Sequence, residues 1–577
     1  MRVQQMVSES AWLVLVLECL VGCKDLDRGN GENMADGGRD AATTEQGLCA
    51  KDERVRAGAC VRCAPGTFNK KGDDPTEVDT RCESILCKDA ERVVDHACVP
   101  CAAGTTSEPG TDAAGDDTQC NPVLCGAGEH VVANACVACT AGTNNAAGDV
   151  ASGADTSCYR RVVAAGEAHT CALLDSGAVK CWGYNAYGQL GLGDANSRGD
   201  ETGEMGDDLP AVDLGTGRTA VDLTAGYGHT CALLDNGAVK CWGDNFHGQL
   251  GLGDTDPRGD DAKEMGDDLP AVDLGTGRTA LGFTARAGHM CALLDNGAVK
   301  CWGENQDGAL GLGGTDTRGD EAGEMGDALP AVDLGTGRTA VGLSAGARAT
   351  CALLDNGAVK CWGENARGRL GLGDINNRGD EAGEMGDALP AVDLGTGRTA
   401  IDLIVGHPYT CALLDNGEVK CWGDNRDGAL GLGDINNRGD EAGEMGDALP
   451  AVDLGTGRTT LDLSGGETHA CALLDNGEVK CWGGNWGGAL GLGDIKHRGD
   501  EAGEMGDDLP AVDLGAGRTA LDLVAMGAAH TCALLDKGAL KCWGDNLWGQ
   551  LGLGDAKNRG DEAGEMGVRL PAVNFGN

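Results

Sequence analysis

Residues 229–254 read HTCALLDNGAVKCWGDNFHGQLGLGD, and this stretch recurs with small changes seven times between Arg160 and residue 577. The copies align on Cys171, Cys231, Cys291, Cys351, Cys411 and Cys471, sixty residues apart, with Cys532 one residue late. In the second copy four short apolar segments, 221–226, 229–234, 238–243 and 270–274, are each of strand length and have no room for a helix. Asp235-Asn236-Gly237 between two of them is a hairpin signal, with glycine free to take the positive φ of a tight turn. A β-unit this small cannot bury its own apolar face, so seven in succession predict an all-β fold, a closed seven-bladed β-propeller with four strands per blade.

The first segment of each copy ends in small residues, such as Ala164-Ala165-Gly166 and Ser464-Gly465-Gly466. That suits an innermost strand where blades converge. The tryptophan of the third segment (Trp182, Trp242, Trp302, Trp362, Trp422, Trp482, Trp543) is placed to fill the widening gap between blades. The pattern Gly226-x-x-His229-Thr230, Asn236-Gly237, Trp242-Gly243-x-Asn245, Gly248-Gln249-Leu250-Gly251 resembles the regulator of chromosome condensation repeats. The resemblance covers about 415 residues and implies a seven-bladed propeller. The acidic connection of roughly twenty residues that contains RGDEAGEMGDALP, and a cysteine pair in every copy, depart from that family.

Those pairs are Cys171 and Cys181, Cys231 and Cys241, Cys291 and Cys301, Cys351 and Cys361, Cys411 and Cys421, Cys471 and Cys481, and Cys532 and Cys542. A turn centred on Asn236 sets Cys231 opposite Cys241 at a non-hydrogen-bonded site, where side chains approach most closely. We therefore expect one disulfide within each blade, each worth about 2–3 kcal/mol at best in the chain-entropy picture.

The rest of the chain divides by composition. Residues 1–22 read as a lipoprotein signal peptide: an apolar run from Ala11 to Leu17 precedes Leu20-Val21-Gly22-Cys23, which resembles a lipobox and makes Cys23 the expected lipidation site. Residues 23–48 are polar and read as a disordered tether. Residues 49–158 hold three 38-residue repeats of four cysteines each, similar to tumour necrosis factor receptor-type modules without their six-cysteine pattern. Behind a signal peptide such modules are disulfide scaffolds sooner than zinc sites, and a rigid stalk is the expectation for them. The propeller takes residues 160–577. A net charge of −46 argues against nucleic acid and against adsorption to anionic lipid, and it favours cationic partners.

No catalytic constellation stands out. The recurring histidines (His169, His229, His289, His469, His530) are spread one per blade and suit structural hydrogen bonds. Gly-Thr-Gly-Arg-Thr after each fourth segment precedes a strand and cannot cradle pyrophosphate on a helix N-terminus. Asp374-x-Asn376-x-Arg378 is an imperfect calcium loop, which leaves calcium as the one cofactor to test. Seven Arg-Gly-Asp triplets are copies of a single loop and count as one observation toward adhesion.

Up-and-down connectivity puts the loops after the first and third strands on one face, and variation among the copies concentrates there. Those loops carry Tyr184, Tyr187, Tyr227, Phe246, Tyr409, Trp486 and Trp548 on blades that are contiguous once the ring closes. Arg286, Arg348, Arg367, Arg369 and Arg426 lie on blades three to five, and aromatics beside arginine are the composition of interface hot spots. We expect these twelve residues to bind a protein or cell-surface partner. The reading is then a surface-anchored bacterial lipoprotein of the cell envelope, otherwise secreted, whose propeller is a binding or adhesion module without catalysis. The alternatives are guanine-nucleotide exchange, which the family resemblance implies, and an enzyme inhibitor or lyase on the same scaffold. If Pro571 to Phe575 sits in the blade of Val162, a clasp between the two ends of the propeller closes the ring, and the sequence leaves open which blade this segment completes.

Overall fold

The computed structural model describes residues 48–576 apart from 71, 77, 89, 104, 108–110, 124–128, 133–134, 139–161 and 528. It falls into two units, the first reaching to Arg160 and the second running from Arg161 onward. Cys23 and the expected leader and tether lie outside the described residues.

Each 38-residue repeat of the first unit opens with a hairpin, Glu53–Arg56 with Ala59–Arg62 and again Glu91–Val94 with Ala97–Pro100. Cystines Cys49–Cys60 and Cys63–Cys82 staple the first repeat, and Cys87–Cys98 and Cys101–Cys120 the second. The apolar core of a repeat is little more than one valine, Val55 or Val93, against its cystines, so cross-links stand where a core would. These eight sulfurs are consumed as cystine and leave zinc no thiolate.

The second unit is seven three-stranded antiparallel sheets in a propeller-like arrangement, each taken in chain order. In blade two the inner strand is Ala220–Ala225, the middle strand His229–Leu234 and the outer strand Val239–Gly243. Gly237 has φ 79°, which lets Leu234 N–H reach the Ala238 carbonyl and close the turn. That register sets Cys231 opposite Cys241 with Cα atoms 4.1 Å apart, and the two are disulfide-bonded. The same pairing joins Cys171–Cys181, Cys291–Cys301, Cys351–Cys361, Cys411–Cys421, Cys471–Cys481 and Cys532–Cys542.

The expected fourth strand does not form. Pro-Ala-Val-Asp-Leu makes one ladder bond to its own blade, Val212 N–H to the Val179 carbonyl at 2.8 Å. Its proline has no N–H to give, and its other carbonyls turn to the next blade: that of Asp213 accepts from Gly266 N–H and that of Leu214 from the Lys240 ammonium. The segment is a strap between blades.

The joint between blades one and two shows why the sequence repeats as it does. Trp242 is fully buried, and its indole N–H donates to the Gln189 carbonyl of blade one at 3.0 Å. The Thr230 hydroxyl donates to that same carbonyl at 2.9 Å. Its one proton is thereby used, so His169 Nε2, 2.8 Å from the same oxygen, must be the donor. Blade seven meets blade one in the same way: Trp182 and Thr170 donate to the Gln550 carbonyl, and Lys180 donates to the Phe575 carbonyl. The ring therefore closes by one more copy of the joint. Val573 N–H bonds the Leu540 carbonyl, so Pro571 to Phe575 belongs to blade seven and not to the blade of Val162. Phe575 packs edge-on against Trp182 with ring centroids 5.8 Å apart.

Removing residues 571–576 takes away these contacts together. We expect a loss of stability of about 3–5 kcal/mol, the scale of truncating a buried aromatic, in a denaturant titration. A truncated chain that unfolds with the full-length midpoint would refute this account of closure.

The joint histidines are held neutral. Burial pushes His169, His229 and His469 down to about 3, and His289 and His530 down to about 4. A folded-state value below the unfolded one of about 6.5 leaves stability intact above that pH. Below it the unfolded chain takes up protons that the fold refuses, which costs up to about 1.4 kcal/mol per pH unit for each ring. The denaturation midpoint is expected to fall between pH 6.5 and 5, before most carboxylates titrate. A flat midpoint over that interval would mean that the rings are not buried as described.

Candidate functional site

The loop after the inner strand and the loop after the outer strand open on one face. A single cavity lined by Tyr227 and His407 from the first kind of loop and by Asp244 and Glu304 from the second demonstrates this. Gly183 bridges Arg198 at the base of the outer loop, and Asn185 ties its crown by accepting from Leu190 N–H and donating to the Asp194 carbonyl. The framework is fixed, and the residues between these ties are free to differ from blade to blade.

On blades seven, one and two the differing residues are aromatic and touch in series. Trp548 and Tyr184 have ring centroids 4.7 Å apart, Tyr184 and Tyr187 6.3 Å, and Tyr187 and Phe246 5.6 Å. Edge-on and tilted contacts of this kind contribute about 0.5–1.5 kcal/mol each beyond burial. Trp548, Tyr187 and Phe246 remain exposed, and Leu547 beside them is 62% exposed. Trp486 is exposed as well, edge-on to His497.

Other expected anchors lie elsewhere. Tyr409 is fully buried, and its hydroxyl donates to the His469 carbonyl of blade six, so it takes the joint position that histidine holds in most blades. Arg369 is also buried, paired with Glu364 at 3.0 Å, while its own carbonyl accepts from Trp422 and Thr410. Both were expected on the surface because they differ among the copies; in fact Tyr409 repacks the joint and Arg369 turns inward to Glu364. Arg367 and Arg426 both reach Asp424, at 3.2 and 2.7 Å, and Arg348 reaches Asp307 at 3.2 Å. Arg286 points across the ring axis and donates to the Gly465 carbonyl of blade six. The arginines are thus tied within the chain, and the aromatics alone form an open patch.

The cavity was not foreseen. Asp244, Glu304, Glu364 and Glu467 line it, drawn from four blades around the axis. Glu467 is held below the usual carboxylate range chiefly by His407, whose Nδ1 lies 3.6 Å from its Oε1, with Arg286 and Tyr227 acting in the same direction. Burial and the Glu467 charge push the Tyr227 phenol up to about 12. The one sequence signal was an acid after Trp-Gly in five copies, at Asp244, Glu304, Glu364, Asp424 and Asp545. Only the ring brings three of these together with Glu467.

The motifs set aside have structural uses. Arg258 of an Arg-Gly-Asp triplet bonds Asp254 at 2.7 Å, the triplet glycine N–H is capped by Glu264, and Gly188 of blade one packs so closely on Asp260 that a Cβ would lie 2.3 Å from its nitrogen. The triplet is a clip between blades. In the calcium-like loop the Asp374 carboxylate accepts from Arg378 at 2.7 Å and from Asn365, so a guanidinium stands where an ion would.

The model of the RCC1-like domain matches residues 201–569, and that of the regulator of chromosome condensation (RCC1) repeat matches residues 161–189. The Ultraviolet-B receptor UVR8 of Arabidopsis thaliana is 28% identical over 400 residues, covering 68% of this chain and 79% of that protein. The E3 ubiquitin-protein ligase HERC2 of Homo sapiens is 29% identical over 273 residues; the match takes 46% of this chain and spans 5% of the ligase. Human WBSCR16 in its crystal structure superposes with a TM-score of 0.51 at 18% identity, over 66% of this chain and 88% of that one, which shows a shared fold. These relatives, with others from mouse and fission yeast, are eukaryotic. They overturn the expected bacterial, lipid-anchored protein of the cell envelope. Among the described residues no helix is long and apolar enough to cross a membrane.

Proposed function

The chain belongs to the RCC1-like domain family, and from that premise we propose that it is a protein-interaction scaffold whose partner docks on the face carrying the aromatic arc. The observation that carries this reading is the arc itself, Trp548, Tyr184, Tyr187 and Phe246 in continuous ring contact across three blades, with Trp548, Tyr187 and Phe246 exposed and Tyr184 half-buried between them. Large exposed aromatics held rigidly by one another lose little entropy on binding, and they are what interface hot spots are made of. Guanine-nucleotide exchange, implied by the family resemblance, is a second reading that would need the same kind of docking; family membership supports it and no residue of the face argues for it separately. For residues 49–158 we propose a cystine-stapled spacer, supported by their small cores.

Phe246→Ala combined with Trp548→Ala should lower the thermal midpoint by no more than the few degrees that two exposed ring contacts are worth, and should weaken capture of a partner by about 2 kcal/mol or more per anchor. Trp486→Ala, outside the arc, is the comparison. The measurement is capture by the immobilised full chain followed by titration of whatever protein is retained. Equal capture by the double variant and the wild type would remove the arc from the interface.

A further inference from the structure

The centre of this face is a cavity of about 420 Å³, within the range of ligand clefts, about 300–1,000 Å³. Its walls are short, with Ala287, Gly288 and Ala347 in positions where long side chains would fill it. Four carboxylates line it, those of Asp244, Glu304, Glu364 and Glu467, with the Arg348 guanidinium and the imidazoles of His247 and His407; Glu167, Asp307, Arg286 and Arg369 stand close enough to act on these groups. Arg369 is spent on Glu364, and Arg348 leans to Asp307 at 3.2 Å and stays 3.9 Å from Glu304. Burial pushes Asp244 and Glu167 above the usual carboxylate range, a cost that an incoming cation would relieve.

The cavity adjoins the aromatic arc. A Cβ on Gly228 would lie 3.2 Å from Asp244 and 3.5 Å from the Tyr187 ring, and Phe246 N–H donates to Asp244. One wall residue therefore belongs to both features. The occupant has to be cationic, narrow enough for the shaft and attached to something that covers aromatic rings. Nucleic acid is repelled by a chain of net charge −46. A bare metal ion is not served either, since among the described residues no three acidic, histidine or cysteine side chains are grouped to hold one.

We propose that the cavity receives the charged end of an arginine or lysine side chain from an extended basic segment of the partner protein, with the flanking residues of that segment lying along the arc. This rests on the scaffold reading and names its partner's chemistry. A guanidinium passing the ring faces on its way in gains cation–π attraction before it meets the carboxylates.

The test uses the full chain and a fluorescent, capped Arg-Trp-Arg peptide at about 0.15 M salt, where exposed charges are largely screened. The same peptide with citrulline for arginine is the neutral isostere. Glu304→Gln with Glu467→Gln should weaken the arginine peptide at least about tenfold, as loss of a desolvated charge pair does. Glu381→Gln with Glu441→Gln, which removes the same charge from exposed outer connections, should change it less than about twofold. Ala347→Arg, which puts a guanidinium of the chain's own into the shaft, should abolish binding, and melting curves establish that each variant is folded. Equal losses in the two paired variants would reduce the effect to general attraction by an acidic chain and overturn the proposal. So would equal binding of the citrulline peptide, or no binding of the arginine peptide. Partner capture that survives the cavity variants but fails in the arc variants would leave the scaffold standing and remove this inference alone.

Discussion

One carbonyl per blade holds the ring together. The Gln189 oxygen, and its counterparts at Gln249, Ala309, Arg369, Ala429, Ala489 and Gln550, each accept the indole N–H of the next blade's tryptophan. An indole buried without a partner would forfeit about 1–3 kcal/mol, so the loop supplying the carbonyl must end in the same place every time. That requirement fixes the Trp-Gly-x-Asn and Gly-x-Leu-Gly sequences, because Asn185 ties the loop and Gly191 packs where a Cβ would come within 2.8 Å of the Trp242 indole nitrogen. The joint takes only the backbone at the carbonyl position, so glutamine, alanine and arginine all serve there, and the longer side chains go to acids of their own loop, Gln249 to Asp244 and Arg369 to Glu364.

Departures from the repeat follow the joint in pairs. Where blade three has Met290 for threonine, His229 loses the hydroxyl it would meet and its ring nitrogens have no hydrogen-bond partner. Where blade six has Ala470, blade five fills the space with Tyr409, whose hydroxyl reaches the His469 carbonyl. Variation between copies therefore has two causes, exposure to a partner and compensation across a joint, and they look alike in a linear sequence. This is why Tyr409 and Arg369 read as surface anchors while Trp548 and Phe246 read correctly as exposed.

What was legible was what local chemistry decides. Strand lengths, the Asn-Gly turn, the opposition of each cysteine pair and the burial of the framework tryptophans follow from a window of fifteen residues. The Pro-Ala-Val-Asp-Leu segment looked like a strand because its apolar pattern is that of one; its hydrogen-bond partners belong to two blades, and no pattern within one copy records that. The acidic cavity was illegible for the same reason, since Asp244, Glu304, Glu364 and Glu467 lie as much as 223 residues apart. The apolar run before Cys23 spoke only of a leader, and the relatives of the propeller speak against the bacterial envelope it suggested.

A single residue sends its side chain across the ring axis. At the innermost turn six copies carry glycine (Gly166, Gly226, Gly346, Gly406, Gly466, Gly527), and a Cβ on Gly226 would lie 2.1 Å from the His229 ring. The third copy has Arg286 there, and it escapes that clash by extending the inner strand to Arg286 and turning at Ala287 with φ 46°. A positive φ at a residue with a Cβ costs on the order of 1 kcal/mol. In return the guanidinium spans the axis to Gly465 of blade six and contributes to holding the Glu467 charge in place. With glycine at 286 the space among the inner strands, lined by Thr224, Thr284 and Ser344, would have no side chain across its axis. In this ring the positive φ at Ala287 is what sets a charged side chain across the axis.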